Sequence, residues 1–201
     1  MGLYYDSQPP PPEDQHARLA AVRLMTSRGI PCILWAEDAL AFVHNVPTFL
    51  FDQQVIVPDE LLESASSALQ DGPYSAVPFT REYADFMEES EAESSFPRGI
   101  LHLLDRSDDA TNELVFHPQY VLLLPQSYFC LDVRSEERFQ SLVPPLPPSN
   151  AGILVPKYHT FLEGLVAFNM HPPIPRKQSS TFSSMSSMAR AKRRLPQTRM
   201  Y

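Results

Sequence analysis

Asp52 needs an explanation before any other residue. It stands in the middle of the apolar run Phe49 to Val57, Phe-Leu-Phe-Asp-Gln-Gln-Val-Ile-Val, and a carboxylate inside a buried strand is costly unless something pairs with it. Two residues on, Gln54 shares its face, because strand side chains alternate from one face to the other. Hard cations such as Mg²⁺ prefer anionic oxygen, so an acid beside an amide offers one good ligand where two would be useful. The plainest alternative for Asp52 is a hydrogen-bonded acid at a strand end. His102, in Gly-Ile-Leu-His-Leu-Leu-Asp from Gly99 to Asp105, reads as a partly buried polar residue on a strand. Cys32 and Cys130 each lie in an apolar, strand-like run with no His or Cys at ligand spacing, which predicts two buried thiols and neither a disulfide nor a metal site.

The elements that must hold Asp52 are legible around it. Ile33 to Trp35 form a short apolar run that turns at Ala36-Glu37 into a segment with Ala39, Leu40, Phe42 and Val43 on one helix face; the run from Phe49 then follows. The pattern is strand, helix, strand. Glu37 suits the head of that helix, where acids are favoured.

Residues 31 to 58 resemble the nucleotidyltransferase fold of the DNA polymerase beta superfamily, in its minimal and AbiEii-like forms, and more closely a group of fungal proteins of unknown function with a degenerate version of it. Ala39-Leu40 match the family's Ala-Leu, Asp52 falls on the first acid of its Asp-x-Asp, and Val55-Ile56-Val57-Pro58 match the end of that strand. The resemblance implies that two Mg²⁺ ions would sit over paired carboxylates and hold the attacking hydroxyl and the leaving pyrophosphate. It also implies a Gly pair at the helix N-terminus, letting backbone N–H groups approach the phosphates.

At those positions this chain departs from the family. Ala36-Glu37 replace the Gly pair, Gln54 replaces the second carboxylate, and His102 stands where a third acid is usual, with Asp105 placed too late. Glu37 would set a negative charge where a triphosphate has to sit. Lys157, at the start of a late helix, matches the place of a basic residue that faces the nucleotide in AbiEii-like relatives. The expected function is therefore that of a catalytically impaired nucleotidyltransferase-fold protein acting as a binding or scaffold module, with no cofactor. The alternative is a divergent active enzyme that modifies a protein, an RNA end or a small molecule, with Mg²⁺ held by Asp52 together with Asp105 or Glu37.

The rest of the chain bounds these readings. Its 201 residues, 43% hydrophobic, suffice for one domain with appended tails. A proline-rich arm is expected over 1–12, a nucleotidyltransferase-like domain over 13–170 and a basic, serine-rich disordered tail over 171–201. The fold class expected is α/β or α+β, a mixed central sheet flanked by helices. Helices are expected from Glu13 to about Arg28, from Asp59 to about Gln70 and from Tyr158 to about Asn169, the last with Phe161, Leu162, Leu165, Val166 and Phe168 on its apolar side. Strands are expected at Tyr74 to Val77, Ile100 to Leu104 and Tyr120 to Leu124, with an aromatic cluster over Gln126 to Val133. Glu82, Asp85, Glu88, Glu89, Glu91 and Glu93 make a dense acidic run.

Of the 16 basic residues, the seven from Arg176 to Arg199 lie in a stretch without an acid, while all 24 acids precede it, so a body near −15 carries a tail near +7. Phosphate contacts supply most nucleic-acid affinity, so the acidic body argues against binding DNA or RNA itself. The tail, with Arg190-Ala-Lys192-Arg193-Arg194, suits contact with nucleic acid, with a nuclear import receptor or with its own acidic body. No apolar run approaches the ~18 to 20 residues of a membrane span, and no signal pattern opens the chain. A cytoplasmic or nuclear protein with an unidentified protein partner is the expectation.

Overall fold

The computed structural model describes residues 12–78, 98–105, 118–143, 146 and 148–171. The proline-rich arm up to residue 11, the acidic run and the basic tail from residue 172 lie outside these residues.

Pro12 opens the first helix, α1 (Pro12–Arg18), where its missing N–H costs nothing and its fixed φ suits the turn. One helix was expected from here to Arg28. The chain instead bends at Leu19, and α2 (Ala20–Thr26) follows. The bend lets Arg18 reach one set of partners while Val22 and Met25 enter the core. Gly29 closes the segment at φ 71, with Ile30 N–H donating to Met25 O and Gly29 N–H to Thr26 O, the left-handed helix ending for which glycine is best suited.

Strand β1 (Ile33–Trp35) runs directly into α3 (Ala36–Phe42). Strand β2 covers only Gln53–Val57. Asp52 thus immediately precedes the strand, a correction to its expected place in the middle of the run, and its side chain is half-buried. A 3-10 turn (Asp59–Leu61) leads into α4 (Leu62–Gln70), and β3 (Tyr74–Val77), β4 (Ile100–Leu104) and β5 (Tyr120–Pro125) follow. Gln126–Phe129 form a further 3-10 turn. Two short strands were not anticipated, β6 (Phe139–Ser141) and β7 (Leu154–Pro156). The last helix is α5 (Tyr158–Met170).

The strands form one mixed seven-stranded sheet in the order β3-β4-β5-β2-β1-β7-β6, so the chain belongs to the mixed α/β class. β2 pairs antiparallel with β1 and parallel with β5, and β1 pairs parallel with β7. Helices cover both faces. Val55, Val57, Val121 and Leu123 pack with residues of α2, α3 and α4 on one side. Ile33, Trp35, Ile56, Leu122 and Leu124 pack with Tyr128, Phe129 and Phe161 on the other. On that second face Trp35 lies 4.7 Å from each of Phe129 and Phe161, centroid to centroid. Gly164 lets α5 come this close: a Cβ there would sit 2.7 Å from the Trp35 ring.

Two further expectations are corrected. Cys32 is buried, but Cys130 is exposed and follows the 3-10 turn in a left-handed conformation, φ 51, outside any strand. On α5, Phe161 is buried and Leu165 and Phe168 pack against the core, but Leu162 and Val166 face outward. Thr160 and Gly164 take the buried positions instead. No helix among the described residues is long and apolar enough to cross a membrane.

Candidate functional site

The strand directions gather most of the singled-out residues at one end of the sheet. β1 ends at Trp35, which pairs with Gln54 at the start of β2. Gln53 in turn pairs with Val121 at the start of β5, and β7, parallel to β1, ends beside it before Lys157. Ala36, Glu37, Asp52, Gln54 and Lys157 therefore share one edge, with the N-termini of α3 and α5 both opening there.

His102 does not join them. It pairs with Val121 on β5, in the row that continues to Gln53, and neighbouring residues of one row share a face. Asp52 and Gln54 belong to the opposite parity. His102 is fully buried under α4, with Nε2 2.9 Å from Ser66 Oγ, which also accepts from Gln70 at 3.0 Å. His102 Nδ1 has no hydrogen-bond partner among the described residues. Burial holds this imidazole below its usual range. β2 lies between β1 and β5, and neither Ile33–Trp35 nor Tyr120–Pro125 contains an acid.

At the edge itself, Asp52 Oδ1 accepts the Tyr120 backbone N–H at 3.2 Å, fastening the start of β5 to the start of β2. Burial, with the nearby negative charges of Asp38 and Asp52, raises the Glu37 carboxyl above the usual range, while its own backbone N–H and Arg18 act the other way. Ala36 has φ 54, the left-handed region that glycine adopts freely and other residues at a cost of about 1 kcal/mol. Lys157 directs its ammonium at the Glu137 carbonyl, 2.6 Å away, and not at the acids.

The group that positions this edge was not singled out in the sequence. Arg18 Nε and Nη2 bind Asp38 Oδ1 and Oδ2 at 2.5 and 3.0 Å, both side chains being almost wholly buried. Nη2 also donates to Phe51 O at 2.6 Å, and Gln53 Nε2 donates to Arg18 O at 2.9 Å. Arg18 thus ties α1 to the first turn of α3 and to the residues on either side of Asp52, through its guanidinium to Asp38 and Phe51 and through its backbone carbonyl to Gln53. The available signal was an acid on the buried side of α3, one helical turn from Phe42.

Among the described residues, no group of three or more His, Cys, Asp or Glu side chains is arranged to hold a metal ion. The donor set at the edge does not fit a pair of magnesium ions: Gln54 is neutral and Asp52 Oδ1 already accepts a backbone N–H, which leaves no paired carboxylates on the strand. No protein-family model, curated protein or solved structure matches this chain at a significant level.

Proposed function

We propose that this chain is a catalytically impaired nucleotidyltransferase-type scaffold that serves as a binding module. The observation that carries the reading is the use of Asp52. The one acid at the head of β2 anchors the β5 backbone, while the second position of the motif holds an amide and the adjoining strand holds no acid. The left-handed turn at Ala36 supports the ancestry, since it is the backbone a glycine pair would supply. It is also what favours the second reading, a divergent enzyme in which Glu37 and Asp52 act together.

Incubation of the full chain with each of ATP, CTP, GTP and UTP, α-labelled, with Mg²⁺ or Mn²⁺ and candidate acceptors, separates the two. The scaffold reading expects no label transfer above that of Asp52→Asn. Transfer that Asp52→Asn abolishes overturns it.

A further inference from the structure

His102 sits on β4 where α4 lies over the sheet. It is wholly buried, and the contact of its Nε2 with Ser66 Oγ joins strand to helix. That hydroxyl also accepts from Gln70, an exposed residue at the end of α4, so three polar side chains lead from the imidazole to the surface. Either neutral tautomer satisfies the Ser66 contact, because a hydroxyl can both donate and accept.

The imidazolium fits less well. Both of its nitrogens carry a proton, and Nδ1 has no hydrogen-bond partner among the described residues. The neighbouring elements supply no counter-charge either. Across the strands His102 meets Ala76 on β3 and Val121 on β5, and the row continues to neutral Gln53. Tyr74, on the same face of β3, is a phenol that burial pushes up to about 12, and the charge near it is the positive one of Arg23. Tyr120 belongs to the opposite face of β5, and Glu63, the charged residue of α4, is exposed. A buried charge with neither a partner nor a counter-ion is costly, so the proton binds more readily once the ring reaches water.

α4 is also the lightly held helix. Its buried positions are Leu62, Ala65, Ser66, Ala68 and Leu69, three of them small, and the apolar gain follows the area buried. It leads into β3, an outer strand of the sheet that pairs with β4. We propose that His102 is a proton-operated latch: protonation frees α4, with β3 behind it, to swing away from the sheet, while the strands from β5 to β6 stay paired.

The direction follows from linkage. The opened form takes up the proton near the ordinary histidine value of about 6.5, and the closed form does so only at a lower pH. Acidification therefore favours opening, by at most about thirtyfold between about pH 7.5 and about pH 5.

Hydrogen–deuterium exchange of the full chain at these two pH values, each corrected for the intrinsic exchange rate, tests the latch. The expected result is a loss of protection of about tenfold or more over residues 62–77 at the lower pH, against less than about twofold in β1, β2 and β5. In His102→Gln, which can still hydrogen-bond Ser66 but takes up no proton, the loss over 62–77 should vanish; His102→Leu serves the same comparison if the glutamine variant does not fold. In the parent chain alone, no loss over 62–77, or a loss spread evenly over the strands, overturns the proposal. So does a loss of the same size without the histidine.

Discussion

Arg18 and Asp38 show how a charge buried in the core can be structural. Removing one partner of such a pair leaves the other uncompensated in a desolvated site, at a cost of about 3–5 kcal/mol, while replacing both by apolar residues of similar size often costs little. Asp38→Asn is therefore expected to lower the unfolding free energy by about 3 kcal/mol in urea titrations, and Arg18→Met with Asp38→Leu by much less. Equal losses would mean that the loop ahead of Asp52 depends on the Arg18 contact to Phe51 O and not on the ion pair. His102 gives a second prediction. Burial lowers its pKa in the folded state below 6.5, so the unfolded chain takes up the proton first as pH falls. Its contribution to stability is complete above about pH 6.5 and is lost as pH falls toward the depressed folded value. Unfolding free energies from pH 5 to 8 should show a shallower slope for His102→Gln than for the parent; identical slopes would exclude a neutral buried imidazole. At this scale the sequence identified Asp52 and Gln54 as neighbours on one face, but it grouped His102 with them. Facing depends on which strand lies beside β2, and that is a matter of pairing, not of spacing along the chain.

The strand, helix and strand around Ala36 were readable because each spans a clear apolar pattern bounded by turn residues. β6 and β7 were not, since three-residue strands with Pro156 inside one of them carry little pattern. α5 shows a different limit. Its composition is apolar on nearly every side, so periodicity alone could not tell that Gly164 faces Trp35 and Thr160 is buried while Val166 faces out. Cys130 was misplaced for a related reason: the run after Pro125 is apolar but turns into a 3-10 helix. The β1–α3 connection supplies the prediction at this scale. If Ala36 is held at φ 54 against its preference, Ala36→Gly should stabilise the protein by about 1 kcal/mol. Thermal unfolding reads this as a raised midpoint. A lowered midpoint would mean that the extra freedom glycine gives the unfolded chain outweighs the strain relieved.

Across the whole molecule, the sheet order places the heads of α3 and α5 and the starts of β2 and β5 at one edge, yet the charges there do not suit a nucleotide. Glu37 lies at the helix head where phosphate would approach, and Lys157 is turned to a carbonyl. The mixed sheet flanked by helices was legible in the alternation of patterns; the parallel pairing of β1 with β7, which brings α5 to this edge, was not, because it joins residues more than a hundred positions apart.

On the proposed scaffold reading, this edge does not grip divalent ions together with a nucleotide. Titration of Mn²⁺ into the full chain with ATP present, followed by electron paramagnetic resonance of the free ion, tests it directly. The expected result is no saturable Mn²⁺ uptake attributable to the protein below about millimolar concentration, and the same curve for Asp52→Asn. Saturable sub-millimolar binding that disappears in Asp52→Asn would contradict it.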